Sequence, residues 1–323
     1  MPVNTVDKPV GVVGCGSIGS RYAKWFRDLG CTVVAYDADP ARTLALGEFG
    51  VMACAKLDDL LAADCSHILI ATPPHRHAEA FEAVLAGSKA AILVEKPLAA
   101  TLGDAKQIAA LAASAPDRAI FGVCNMRFHP GVQALKHGLH EVGAPLFARV
   151  IFGHRLAQMR PAGTNIFAAD TATGGGVILD CVHELDYLQW LFGPLSLHSS
   201  WTGQIGPDKI AAEDFAEIQL VSQSGVRIAI HLDFLMRYKR RGCEIAGTEA
   251  TLAWNSSGRR PEECRISLDR MDAPSTLTEI AAVDSAVEYL DMLKDFLAGG
   301  ANLQRIDEAV DVLALALAAR GAA

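Results

Sequence analysis

The chain reads as two domains: a doubly wound α/β domain over residues 1–124, and an α+β domain with a largely antiparallel, open sheet over residues 125–323. Three observations carry this. From Pro9 to about Val123, short apolar runs alternate with helix-like segments, the signature of a parallel sheet covered on both faces. A glycine cluster follows the first of those runs directly. Beyond Asn125, strand-like runs succeed one another with little helix between them, which favours antiparallel pairing through turns. A length of 323 residues suits two cores better than one.

In the first domain, uninterrupted apolar stretches place strands at Val10–Val13, Thr32–Tyr36, His67–Ala71, Ala91–Val94 and Ala119–Val123. Helix-like segments at Ser20–Leu29, His77–Ala86 and Leu102–Ala113 separate them. The second domain opens with a helix over Val132–His140 and a strand over Leu146–His154. A Gly/Thr-rich stretch around Thr164–Gly176 then leads into a helix over Val177–Phe192, where Ile178, Val182, Leu185 and Leu188 recur at helical spacing. Strands follow at Leu197–Thr202, Asp214–Val221, Val226–Phe234, Cys243–Ala246 and Thr251–Trp254, with Ser222–Gly225 as a hairpin turn. Helices over Ala286–Leu297 and Ile306–Ala319 close the sequence.

Half of the residues are apolar and a fifth are charged, so a substantial core is expected. A net charge of −8 argues against nucleic-acid or anionic-membrane binding, both of which need basic surface. The basic run Arg237-Tyr238-Lys239-Arg240-Arg241 is read as a solvated strand end or turn, with an anionic substrate group as the sharper alternative. Eight cysteines without a CxxC pair indicate neither a zinc cluster nor a disulfide scaffold, and no metal is expected. The first strand follows Met1 too closely for a signal peptide, and no apolar run reaches the roughly 18 residues of a membrane span. A cytoplasmic location is the expectation.

The glycine cluster is Gly14-Cys15-Gly16-Ser17-Ile18-Gly19, set between an apolar strand and a helix-like segment. That context makes it a dinucleotide-binding (Rossmann) fingerprint. Gly14 permits the tight turn, Gly16 lets backbone approach a pyrophosphate, and Gly19 permits close helix packing. Ser17 and Ile18, within the cluster, are taken as cofactor-binding residues, and the amino terminus of the helix that follows presents N–H groups and partial positive charge to phosphate. Asp37, ending the second strand, is placed to bind the adenosine ribose hydroxyls and would repel a 2′-phosphate, so NAD is favoured over NADP. Arg42 is read as a helix-surface arginine that could also lean over a 2′-phosphate. The loop Thr72-Pro73-Pro74-His75-Arg76-His77 follows the third strand and is expected to line the nicotinamide half of the cofactor. His75 and His77 read as helix-start residues or cofactor neighbours, not metal ligands.

Lys96 stands in Glu95-Lys96-Pro97, beyond the apolar run Ala91–Val94. Ligands of open α/β sheets bind past the carboxyl ends of the strands, and a lysine delivered there can serve proton transfer once desolvated. In the Val177–Phe192 helix, Asp180, His183 and Tyr187 fall at i, i+3 and i+7 on a face apart from the apolar one. Asp180 is then placed to orient His183. His183-Glu184 is no zinc motif, because HExxH is absent.

Taken together, Gly14–Gly19, Asp37, Ala71-Thr72-Pro73-Pro74, Glu95-Lys96-Pro97, Asn125–Pro130 and Gly174–Gly193 resemble the Gfo/Idh/MocA family of dehydrogenases, in family order and across both domains. The resemblance implies hydride transfer between a nicotinamide and a hydroxyl carbon of a sugar, polyol or related ring. It implies that Lys96 is the proton-transfer residue and substrate ligand, that His183 is the second-domain histidine, and that the peptide bond before Pro97 is often cis. One departure stands out. The family's aspartate four residues before this histidine is Leu179 here, with Asp180 only three before. Around a helix of about 3.6 residues per turn, that shift turns the carboxylate by about 100°.

The resulting expectation is that Lys96 or His183 takes the hydroxyl proton, with Asp180 beside His183, and that Glu95, Thr72, Pro73 and His77 lie against the cofactor. Arg127, and Arg155 or Arg160, are candidates for holding substrate hydroxyls or carboxylates, with a structural or solvent-exposed role as the plainer reading of each. Two other readings follow from the same residues: an NAD-dependent glycosidase or lyase working through transient sugar oxidation, and a non-catalytic NAD(H) sensor. By resemblance, the strand-rich stretch Asp214–Phe234 pairs copies into a homodimer or homotetramer.

Overall fold

The computed structural model describes residues 7–156, 170–171, 174–207, 210–256, 262–283 and 286–321. It divides into two compact units, one of Met1–Cys124 with Leu290–Asp311 and the other of Asn125–Tyr289 with Val312–Ala323. The stretch Leu290–Asp311, placed by the sequence with the second domain, belongs with the first.

In the first unit, strands β1 (Val10–Val13), β2 (Val33–Tyr36), β3 (Met52–Ala53), β4 (His67–Ile70), β5 (Ala91–Val94) and β6 (Ile120–Gly122) pair in the order β3-β2-β1-β4-β5-β6, all parallel. This is the order of a dinucleotide-binding doubly wound sheet. Val10, Val12, Ile68, Leu69, Ile92 and Leu93 are fully buried, as a sheet covered on both faces requires. Helices α1 (Ser17–Asp28), α2 (Pro40–Leu44), α3 (Leu57–Ala62), α4 (His77–Gly87) and α5 (Leu102–Ala113) connect the strands. The short β3, α2 and α3 are absent from the sequence reading, because two to six residues carry too little periodicity. Helix α1 begins three residues earlier than the sequence reading placed it.

The second unit opens with α6 (Pro130–Gly138) and β7 (Pro145–Gly153). Two helices follow, α7 (Val177–Asp180) and α8 (His183–Phe192), and then strands β8 (Leu195–Gly203), β9 (Phe215–Ser222), β10 (Arg227–Asp233), β11 (Arg240–Gly247), β12 (Thr251–Ser256), β13 (Glu262–Asp269) and β14 (Thr276–Val283). Eight strands pair in the order β14-β13-β12-β11-β7-β10-β9-β8, antiparallel apart from β7 beside β10. Ala216, Ile218 and Leu220 on β9, and Ile228, Ile230 and Leu232 on β10, are buried on one face. Gln219 and Arg227 on the other face are exposed, the period-two alternation of a one-sided sheet. The Ser222–Gly225 turn joins β9 to β10 with Gly225 at φ +91°. Strands β13 and β14 are absent from the sequence reading.

Helices α9 (Val287–Leu297) and α10 (Ile306–Arg320) come last, separated by β15 (Gln304–Arg305). Strand β15 adds antiparallel to β6, so a segment near the end of the chain finishes the first sheet.

The expected single helix Val177–Phe192 is in fact broken. Cys181 leaves helical geometry at φ −100° and ψ 23°, and α8 starts afresh with Val182 as its cap. Asp180 and His183 therefore belong to successive helices, one on each side of the break.

Candidate active site

Three loops leave the carboxyl edge of the first sheet from adjacent parallel strands β1, β4 and β5. The loop after β1 is the glycine cluster. Gly14 sits at φ +93°, and a Cβ there would lie 2.6 Å from the Thr72 backbone nitrogen. A Cβ on Gly19 would overlap the Gly14 carbonyl oxygen. Only glycine satisfies either position. Gly16 differs: a Cβ there meets nothing nearer than the Arg42 guanidinium at 3.8 Å, so the space beside it is open for a ligand.

Helix α1 begins at Ser17 with Gly16 as its cap and no side chain accepting from its first N–H groups. Those donors are left for an anion. Asp37 closes the far side: its carboxylate accepts the Cys15 N–H at 2.6 Å and the Asp39 N–H at 2.8 Å. Arg42 approaches Asp37 at 3.8 Å and Asp39 at 3.4 Å. The Cys15 thiol is pushed up to about 12 by burial, reinforced by Asp37, and stays protonated.

After β4, the Thr72 hydroxyl is buried without a hydrogen-bond partner, while Pro73 is exposed. An orphaned hydroxyl beside an uncapped helix amino terminus and an open glycine is what a dinucleotide would complete. The residues present fit NAD.

After β5, Lys96 is half-buried and the Lys96–Pro97 bond is cis. Glu95 is buried and does not lie open to a cofactor. Its carboxylate accepts the Tyr22 hydroxyl at 2.5 Å and the Lys96 backbone N–H at 2.7 Å. The expected cofactor contact is thus corrected to a strut between α1 and the lysine's own backbone. His77 is likewise corrected. Its ring is fully buried between the carbonyls of Thr72 and Leu98, with no face left for a cofactor.

In the second unit, His183 is the first residue of α8 and is buried, whereas Asp180 ends α7 and is half-buried. The segment around them is held by three buried ion pairs. Glu184 takes Arg241 in two parallel bonds of 2.7 and 2.9 Å. Burial alone would lower the affinity of Arg241 for its proton, but the charge and hydrogen bonds of Glu184 outweigh it. Asp186 takes Arg127 at 2.7 Å, and Arg320 pairs with Glu213 at 2.9 Å. Arg127 is therefore a fold-holding cation, not the substrate-holding one expected from the sequence. In the basic run, Arg237, Tyr238 and Arg240 are exposed at or just before the start of β11, as a solvated strand end should be, whereas Arg241 is buried and Lys239 pairs with Glu262 at 2.7 Å. Tyr187 is fully buried.

Burial pushes the Glu288 carboxyl up to about 7, against the pull of Arg241 and Lys239, and the Asn125 amide donates to it at 3.5 Å. His129 is pushed down to about 3 by burial, and its Nδ1 accepts the Gly131 N–H. Arg160 and residues 164–169 of the Gly/Thr-rich stretch lie outside the described residues. Sequence reasoning missed Tyr22, Glu184, Asp186 and Arg241. Pairings across 57 to 73 positions leave no local spacing signal. Among the described residues, no group of three or more His, Cys, Asp or Glu could hold a metal, and no helix is long and apolar enough to cross a membrane.

Comparison with known proteins agrees with this geometry. The profile of the GFO/IDH/MocA oxidoreductase family, with its NAD-binding Rossmann fold, matches residues 8–123, and that family's C-terminal domain matches residues 133–253. A D-apiose dehydrogenase of Paraburkholderia graminis is 29% identical over 286 residues, 83% of this chain and 71% of that protein. An inositol 2-dehydrogenase of Burkholderia ambifaria is 30% identical over 253 residues, 74% of this chain and 71% of its own. An Agrobacterium radiobacter oxidoreductase, solved with NAD+, L-tartaric acid and magnesium, superposes with a TM-score of 0.83 at 21% identity, covering 98% of this chain and 96% of the other.

Proposed function

The chain belongs to the GFO/IDH/MocA oxidoreductase family, and from that premise we propose that it is a nicotinamide-dependent dehydrogenase of sugars, polyols or their derivatives. It would move a hydride between the cofactor and a hydroxyl-bearing carbon. The observation that carries this reading is the convergence of three loops on the carboxyl edge of β1, β4 and β5. One cradles phosphate, one offers an unpartnered hydroxyl, and one delivers Lys96. Relatives that act on apiose and inositol support the substrate class.

Gly14, Gly16 and the N–H groups opening α1 at Ser17 and Ile18 hold the pyrophosphate, with Gly19 fixing the helix behind them. Asp37, anchored by the Cys15 N–H, meets the ribose hydroxyls and disfavours a 2′-phosphate, which makes NAD the cofactor over NADP. Bound NAD supplies the hydride acceptor. Thr72 presents its hydroxyl to the cofactor, and Pro73 holds the loop extended.

Lys96 and His183 carry the proton work. One of them takes the substrate's hydroxyl proton as the adjacent C–H bond gives up its hydride. Asp180, which ends α7, is assigned to orienting His183 and to substrate hydroxyls. Pairing of two or four copies through the exposed face of β8, β9 and β10 is the proposed assembly. The eight cysteines form no disulfide among the described residues, which supports a reducing, cytoplasmic setting.

The test is an NAD-coupled screen of inositol, D-apiose and related polyols with the wild type and Lys96→Ala. Expected is NADH formation by the wild type, with turnover reduced by at least about a hundredfold in the variant while NADH still binds. Near-normal turnover in Lys96→Ala would remove the lysine from the mechanism.

A further inference from the structure

Helix α7 is a single turn of four residues, and its cap Gly176, at φ +105°, has no side chain to offer its first N–H groups. So short a helix does not hold itself. Its amino terminus is met from elsewhere, by Glu213, 35 positions beyond Ile178. The Glu213 carbonyl accepts the Val177 N–H at 3.0 Å, and its carboxylate accepts the Ile178 N–H at 3.3 Å. That carboxylate lies where a Cβ on residue 176 would stand, so only glycine admits it. Arg320, in the last turn of α10, grips both sides of the junction. Its guanidinium donates to the Glu213 carboxylate through Nε at 3.2 Å and Nη2 at 2.9 Å, and to the Gly175 carbonyl. Gly175, Glu213 and Arg320 all belong to the second unit.

Other duties fit this pair poorly. The Arg320 and Glu213 side chains are 9% and 8% exposed and turned on each other, so neither is open to a substrate. Net stability is a weak reason for them, because apolar residues of like volume serve a core as well as a buried ion pair. What sets the pair apart is its grip on main chain: the Gly175 carbonyl and the Val177 and Ile178 N–H groups are all fixed from outside the helix. Just upstream, the Thr171 hydroxyl donates to the Ala211 carbonyl at 2.7 Å, so the approach to the turn also lies along this segment. Downstream, the Asp180 N–H returns to the Gly176 carbonyl at 2.9 Å, the Cys181 N–H to that of Val177 at 3.0 Å, and the Glu184 N–H to that of Cys181 at 3.1 Å. A ladder of bonds thus runs from the clamp to both sides of His183. Glu184 with Arg241, and Asp186 with Arg127, hold α8 beyond His183, whereas Arg320 with Glu213 holds the approach to it.

We propose that Glu213 and Arg320 are positioning residues for the dehydrogenase site. Glu213 caps α7 from another segment, Arg320 locks that cap to the Gly175 carbonyl, and together they fix the direction in which the chain presents Asp180 and His183. The catalytic half of this rests on the dehydrogenase reading, while the clamp on α7 stands apart from it. The consequence is selective. The clamp acts on the residues that meet substrate, and the cofactor loops after β1 and β4 lie in the other unit.

Arg320→Met alone would strand a buried carboxylate, so the clamp is removed with the uncharged double variant Arg320→Met and Glu213→Gln. Arg320→Lys, which keeps the charge beside Glu213, is the conservative companion. Thermal unfolding of both comes first, so that the assays run below their midpoints. In the full-length protein, hydrogen–deuterium exchange is then read over residues 174–185, NADH affinity by fluorescence titration, and turnover with inositol and D-apiose. The double variant should exchange that segment at least about tenfold faster than wild type. It should lose about tenfold in kcat, the scale of one buried hydrogen bond, and bind NADH within about twofold of wild type. Arg320→Lys should restore exchange and kcat to within about threefold of wild type. Unchanged exchange over 174–185 overturns the clamp. Faster exchange with kcat unchanged, or an equal loss of NADH affinity, overturns its positioning role. If the wild type binds NADH but turns over neither compound, the substrate reading fails for those compounds, while the exchange rates still decide the clamp.

Discussion

The two units hold their functional residues by different means. In the first, almost every constraint is a backbone constraint. Gly14 and Gly19 admit no side chain, the Cys15 and Lys96 N–H groups are fixed by Asp37 and Glu95, and the His77 ring is buried between two carbonyls. In the second, His183 stands among charges: Glu184 against Arg241, Asp186 against Arg127, and Glu213 against Arg320. A cofactor presenting the same phosphates and ribose to every relative can be met by fixed backbone. A unit that meets varied substrates keeps its main chain stiff through paired side chains. The cost lies in desolvation, since a buried ion pair gives little net stability and is severe when halved.

This contrast is open to measurement. The largest effect is expected from Arg241→Met, which leaves the Glu184 carboxylate buried without its partner. Equilibrium denaturation should show a loss of about 3–5 kcal/mol. The double variant Arg241→Met with Glu184→Leu should recover most of it, because both charges are gone; a double variant no better than the single one would refute the ion-pair account. Next comes Gly14→Ala. A left-handed conformation costs a side chain about 1–2 kcal/mol, and the contact with Thr72 adds to that, so NADH affinity should fall by at least about tenfold in a fluorescence titration.

Tyr22→Phe is smaller, about 1 kcal/mol, because Glu95 loses one of its donors but keeps the Lys96 N–H. The loss should appear as a lower denaturation midpoint with unchanged m-value.

The smallest effect concerns pH. His231 lies between Asp233 at 3.0 Å and Glu217 at 2.6 Å, and their hydrogen bonds raise it to about 8 despite burial. A pKa raised on folding means that the native state binds the extra proton. The stabilisation is therefore complete below the ordinary value of 6.5 and disappears as pH rises through about 8. The stability gap between wild type and His231→Gln should shrink by about 1 kcal/mol between pH 6 and pH 9. A gap that widens with pH would reverse the assignment.

The same contrast governs what the sequence made legible. Gly14–Gly19, Asp37 and the Glu95-Lys96-Pro97 run are contiguous or periodic, since backbone demands act on neighbours along the chain, and they disclose both the fold and the cofactor class. The family resemblance added Lys96 and His183 as partners, which spacing alone did not reach. The ion pairs escaped because Glu184 and Arg241 are 57 positions apart, with nothing local to mark either. Helix periodicity misled once. Leu185 and Leu188 continue the pattern of Ile178 and Val182 through a point where the chain bends, and apolar spacing does not register a two-residue break. Glu95 and His77 were recognised as belonging near the cofactor but were given the wrong duty, because residue type does not say which way a side chain turns.

Strand β15 has a consequence for how the protein is made. Gln304 donates its N–H to the Cys124 sulfur across 180 positions and pairs with Gly122 on β6. At roughly 5–20 residues per second, translation delivers β6 roughly 10–40 s before β15. For that interval the nascent first sheet carries an uncovered edge, the kind of surface on which chains recruit one another. Ribosome pausing or chaperone engagement within residues 125–303 therefore bears on the yield of a domain whose own signature was complete by Asp37.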